Sequence, residues 1–76
     1  MTEVFQINFQ HDGEARRRYI EADTLEEAFP KIASALEEEG IEAEQLATEE
    51  SILIKNLYTR RRYRINSAGT ALMSVS

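Results

Sequence analysis

Apolar positions follow two different rhythms along this chain. Between residues 5 and 10, Phe5, Ile7 and Phe9 alternate with Gln6, Asn8 and Gln10, the two-residue period of a strand with one buried face. Asp12-Gly13 follows between two strand-like runs, and both residue types tolerate the positive φ of a tight hairpin turn. The pattern predicts a second strand over 16–22. Its register depends on the turn. A two-residue turn sets Phe5 opposite Ile20 and Phe9 opposite Arg16, whereas a three-residue turn sets Ile7 opposite Tyr19; both stay open.

The rhythm then changes. Leu25, Ala28, Phe29, Ile32, Ala33 and Leu36 recur at helical spacing and predict one apolar helix face over 24–39. Thr24 and Glu27 fit a capping box, in which each side chain satisfies a backbone N–H of the first turn. Gly40 suits the left-handed residue that closes a helix, with Ile41 folding back toward Leu36. Pro30 opposes this, because it removes a hydrogen bond and presses on the carbonyl of Glu26. A kink or a loosened first turn is expected there, with the helix otherwise intact.

Residues 42–50 are mostly polar and read as a loop with a short helical turn. Residues 51–57 and 60–66 are rich in strand-forming types, as one bent strand or as two. "NSAG" at 66–69 is turn chemistry, and in 70–76 Ala71, Met73 and Val75 alternate with polar positions apart from Leu72. The expected fold is a single α+β domain over 1–76 in the order β-β-α-β-β(-β), with one helix packed on an antiparallel sheet.

Charge adds a second layer. The 76 residues carry a net −5, but 21–50 hold eleven acids and one base, Lys31, while the rest hold three acids and eight bases. Seven of the nine basic residues are arginine, whose planar fork suits carboxylate, phosphate and aromatic partners. Arg-Arg-Arg-Tyr occurs twice, at 16–19 and 60–63. With no cysteine, neither a disulfide nor a thiolate zinc site supplements the thin core of so short a chain. No signal-like start or membrane-length apolar run is found, so the expected setting is soluble and cytoplasmic.

Catalysis is not expected. His11 is the only histidine, expected as a solvated residue of the hairpin turn, and no serine has a second histidine to complete a hydrolase arrangement. Gly13, Gly40 and Gly69 are isolated, so no phosphate-cradling loop forms. Neither a metal nor a cofactor is expected.

Binding is the expectation instead. Arg60, Arg62 and Arg64 share one strand face, while Arg61, Tyr63 and Ile65 share the other; the apolar set should lean inward. Glu37, Glu38 and Glu39 crowd a helix C-terminus that already carries partial negative charge, and Glu42, Glu44, Glu49 and Glu50 extend the stripe. Such a row can imitate a phosphate backbone. The candidate partner-binding residues are Glu37, Glu38, Glu39, Glu42, Arg60, Arg62, Arg64 and Tyr58. The alternative is a nucleic-acid surface built from the arginine and tyrosine strands, with Tyr19, Tyr58 and Tyr63 as stacking groups.

"YIEADTLEEAFPKIASALEEEGI" (19–41) resembles the strand-to-helix passage of HicB-like antitoxin domains, where an "ADTLEEA" type phrase opens the helix after a β-hairpin. The proline- and glycine-containing phrase that joins hairpin to helix in that family has no counterpart here. Size, acidity and element order are similar to small phage-encoded accessory proteins, including anti-CRISPR inhibitors. These resemblances imply a phage or mobile-element inhibitor or accessory protein. The reading is a non-catalytic module, monomer or homodimer, that binds a protein partner, one that handles nucleic acid, and has no membrane contact.

Overall fold

The computed structural model describes residues 2–46, 48 and 51–75. Among them the elements run β1 (Glu3–His11), β2 (Glu14–Ala22), α1 (Leu25–Glu38), α2 (Ala43–Leu46), β3 (Leu53–Asn56), β4 (Arg62–Ile65) and β5 (Leu72–Val75). The strands form one antiparallel sheet in the order β2-β1-β3-β4-β5, and α1 packs on one side of it. The fold is α+β in the expected order, with the last strand present.

A two-residue turn settles the first register. Asp12 (φ 52°) and Gly13 (φ 78°) both lie in the left-handed region, which matches the right-handed twist of the flanking strands. Phe5 therefore faces Ile20, Ile7 faces Arg18 and Phe9 faces Arg16. The apolar stripe of β1 continues onto β2 only as Ile20 and Ala22.

Helix α1 is capped as its sequence demands. Thr24 Oγ1 accepts from the Glu27 N–H at 3.1 Å, and Glu27 Oε2 accepts from the Asp23 N–H at 2.9 Å, one residue before the expected donor. At the other end, Gly40 (φ 95°) donates to the Glu37 carbonyl and Ile41 donates to the Leu36 carbonyl, the paired bonds of a Schellman ending. The helix continues through Pro30. Its buried face differs in one respect from the expected one. Ala35 is buried, whereas Leu25 is 38% exposed and lines an open groove with Phe29, Thr70, Ala71 and Leu72.

Residues 51–66 are two strands. Asn56 makes the corner: its side-chain Oδ1 accepts from the N–H groups of Tyr58 (2.8 Å) and Thr59 (3.1 Å). Its backbone pairs with Arg60 and Arg61. Asn56 is buried, and its Nδ2 donates to Glu3 Oε1 at 3.3 Å, which satisfies a polar group that would otherwise be costly to bury. Asn66 acts alike in the next turn, accepting from Thr70 and Ala71.

The core combines Phe5, Ile7 and Phe9 with Ala28, Ile32, Leu36, Ile41, Leu46, Ile52, Ile54 and Tyr63. Each large side chain contributes about 1.5–3 kcal/mol by leaving water. Phe5 and Tyr63 meet with ring centroids 6.4 Å apart.

Candidate binding surface

Strand alternation divides the charged side chains between two faces. On the helix side, Phe9, Ile7 and Phe5 are followed on β2 by Arg16, Arg18, Ile20 and Ala22. These two arginines reach the end of α1. Arg16 Nη1 donates to Glu39 Oε1 at 3.0 Å, Arg18 Nη1 to Glu39 Oε2 at 2.9 Å and Arg18 Nη2 to Glu38 Oε1 at 2.8 Å. Arg16 also bonds Glu14 at 3.1 Å. Hydrogen bonds from Arg18 and then Arg16 hold the Glu39 carboxyl below its ordinary pKa. In turn the bond to Glu39 raises the Arg16 pKa, and the bond to Glu38 raises that of Arg18. Carboxylates that sit badly against the helix dipole are thus held by guanidinium groups of the same chain.

Among the described residues no helix covers the opposite face of the sheet. Across it run Arg17 and Tyr19 from β2, Gln6 and Asn8 from β1, Leu53 and Lys55 from β3, Arg62 and Arg64 from β4, and Met73 and Val75 from β5. Polar contacts order the β2 end: Arg17 Nε donates to Asn8 Oδ1 at 3.0 Å, Asn8 Nδ2 to Gln6 Oε1 at 3.2 Å and Gln6 Nε2 to Tyr19 Oη at 3.4 Å. The bond from Gln6, and then the neighbouring Arg17 guanidinium, lower the Tyr19 pKa. At the other end, Asn8, Leu53, Lys55, Arg62, Arg64 and Val75 line a groove of about 390 Å³. Lys55 stands directly opposite Arg62, and among the described residues neither is ion-paired to a carboxylate. Like charges in that position destabilise a sheet. Leu53 (45% exposed) and Met73 (50%) add apolar surface between the cations.

The residues singled out from sequence fall in different places. Arg62 and Arg64 share the helix-free face, and Tyr63 and Ile65 lean into the core, as alternation required. Arg60 is not on the strand. It lies in the corner made by Asn56, with φ at 67°, beside exposed Tyr58. Glu38 and Glu39 are tied to Arg18 and Arg16, while Glu37 and Glu42 are exposed. Glu49 and Glu50 lie outside the described residues. Sequence reasoning missed Arg17, Tyr19, Lys55, Leu53 and Met73 as one surface. Parity within each strand was the available signal, but it becomes a face only once the registers are known.

His11 is the last residue of β1, not a turn residue, and is half-buried beside Gly40. A Cβ on Gly40 would stand 2.9 Å from His11 Nε2, so the positive φ and the close approach both favour glycine there. Among the described residues no three metal-ligating side chains come together, and no helix is long and apolar enough to cross a membrane. Comparison with protein-family models, curated proteins and solved structures finds no match to this chain.

Proposed function

We propose that this protein is a non-catalytic binding module that engages a protein partner through the helix-free face of its sheet. The observation that carries this reading is the opposed pair Lys55–Arg62, flanked by Arg64, Leu53 and Met73. The fold bears a local electrostatic cost there, which an acidic partner surface would convert into attraction. Mixed cationic and apolar positions suit a protein interface, where arginine anchors and apolar contacts combine. A nucleic-acid reading is less well served. Of the three tyrosines, Tyr63 is in the core and Tyr58 is in a corner loop, which leaves Tyr19 as the aromatic on the face. Stacking platforms need several. An inhibitor or accessory role, of the kind found in small phage-encoded proteins, belongs to this proposal, with a partner from nucleic-acid-handling machinery.

Capture from a host lysate with mass spectrometry tests it when three baits are compared. The wild type and a Glu37→Gln/Glu42→Gln variant should retain the same partner. A Lys55→Glu/Arg62→Glu variant should lose it, although its opposed charges remain alike and its fold should persist. Loss in the glutamine variant alone would move the site to the acidic helix end. Micromolar binding of a labelled single-stranded oligonucleotide at about 0.15 M salt, falling steeply with added salt, would favour the nucleic-acid reading.

A further inference from the structure

The two edges of the sheet differ. β5 is four residues long, whereas β2 runs for nine, and a long regular edge is a template for another strand. The two-residue turn fixes which of its backbone groups point outward. His11 and Glu14 close the hairpin as a hydrogen-bonded pair, so Ala15, Arg17, Tyr19 and Glu21 turn their N–H and C=O groups away from β1. One of these has already found a donor: Lys31 Nζ, from α1, bonds the Glu21 carbonyl at 2.7 Å. Alongside this edge lies a groove lined on the strand side by Tyr19, Ile20 and Glu21 and on the helix side by Lys31, Ser34 and Ala35.

We propose that the β2 edge pairs antiparallel with β2 of a second copy, about a two-fold axis at Tyr19. This inference rests on the backbone edge of β2 rather than on the charged groove of the partner surface proposed above, although Arg17 and Tyr19 also present side chains on that face. An antiparallel pair must match outward-facing residues with outward-facing residues, which restricts the register to a few choices. Centring on Arg17 places Arg17 against itself and Arg16 against Arg18. Centring on Arg18 places that arginine against its own copy. Centring on Tyr19 sets Arg17 opposite Glu21 of the second copy, twice by symmetry, with Tyr19 against Tyr19 and Arg18 against Ile20. This register replaces like-charge clashes with two opposite-charge pairs, the arrangement that favours strand pairing.

The helix layer obeys the same axis. Lys31 touches Glu21 and Glu38 touches Arg18, so α1 runs opposite to β2 and brings Ser34 and Ala35 near the level of Tyr19. Two copies of α1 crossing there present the small, exposed Ser34 to each other. Lys31 and Glu38, seven positions apart on one helix flank, then lie opposite Glu38 and Lys31 of the second copy. A two-fold contact must be self-complementary; strand and helix are both so about nearly the same point.

Sedimentation equilibrium on the whole chain tests the proposal. At about 100 μM the wild type should have twice the 8.7 kDa chain mass. Arg17→Glu and Glu21→Arg should each weaken dimerisation at least about tenfold, because like charges then face each other across the axis. The double swap Arg17→Glu/Glu21→Arg should restore it. Amide hydrogen exchange supplies a readout without mutation: the Arg17 and Tyr19 amides should be protected at high concentration and exposed on dilution. A monomer at every concentration would leave the edge to an extended segment of some other protein and overturn the proposal. A dimer indifferent to the single substitutions, not rescued by the swap, or lacking protection at Arg17 and Tyr19 would also overturn it.

Discussion

The same four residues, Arg-Arg-Arg-Tyr, occur in β2 and at the start of β4, and the fold uses them in opposite phase. In β2 the outer arginines, Arg16 and Arg18, face the helix and bind Glu38 and Glu39, while Arg17 and Tyr19 face away from it. Near β4, Tyr63 enters the core beside Phe5, and Arg62 joins the helix-free face. One copy holds the acidic helix end in place; the other supplies Arg62, which has no carboxylate partner among the described residues. Arginine content therefore says little about the role of an arginine. Its side of the sheet decides whether a carboxylate of the same chain lies within reach.

The largest expected effect separates the two tyrosines. Tyr63 is 6% exposed and Tyr19 is 53% exposed. Tyr63→Ala should cost about 3–5 kcal/mol, as for other large aromatic truncations in a core, which is a large share of the stability of so small a domain. Tyr19→Ala should stay within about 0.5 kcal/mol. Urea denaturation of the two variants measures the difference, and similar midpoints would dissolve the contrast drawn between the segments.

A smaller effect separates the arginines. Arg18→Ala removes bonds to both Glu38 and Glu39 and leaves two carboxylates at the negative end of a helix dipole. It should lower Tm by roughly a few degrees. Arg62→Ala breaks no ion pair among the described residues and should leave Tm unchanged or slightly raised. The same contrast limits where relief of the helix dipole can help. Glu37→Gln should be neutral or mildly stabilising, whereas Glu38→Gln and Glu39→Gln should destabilise, because each gives up a guanidinium partner.

The dependence on pH sharpens this point. The folded-state pKa of Glu39 is lowered by Arg18 and Arg16, so the unfolded chain binds the proton more readily than the folded one. The stability contributed by the cluster is present above the ordinary carboxyl value of 4.5 and is lost as pH falls through the lower folded value. Thermal denaturation between neutral pH and pH below 4.5 should show a smaller drop for Glu39→Gln than for the wild type. Equal drops would remove Glu39 from the acid response.

The smallest expected effect has the opposite sign. Lys55→Glu turns the like-charged pair with Arg62 into an attractive one and should raise stability by about 0.2–1 kcal/mol. It should also weaken partner capture. A variant that gains stability while losing its partner is the expected mark of a site retained for binding. Gained stability with full capture would show the pair to be incidental.

Much of this fold is legible in local chemistry. The alternation of Phe5, Ile7 and Phe9 specifies a strand, and Asp12-Gly13 specifies a turn, because positive φ at two successive positions suits few other residue pairs. Thr24, Glu27 and Gly40 mark the ends of α1 through bonds that span only a few residues. Asn56 was the harder signal. Its turn has no glycine, and its carboxamide acts by collecting backbone N–H groups two and three residues ahead, so one bent strand and two strands looked alike. The helix face differs from the periodic one at its ends, where Ala35 is buried and Leu25 is not, because periodicity gives a direction but not how much of the helix the sheet covers.

What the sequence determined by itself was the set of elements, their caps and their order, since each depends on contacts within a turn or on a two- or four-residue period. What only the tertiary structure decided was which arginines meet which glutamates. Arg18 and Glu39 are 21 residues apart, and their meeting requires the hairpin register, the inward face of α1 and the antiparallel passage of helix over strand to be settled together. A one-residue change in register would send every β2 side chain to the other face, so that Arg17 reached for the helix end and Arg18 joined Lys55 and Arg62. An identical tetrapeptide cannot encode that choice, because the choice lies in the turn before it and in what packs above it.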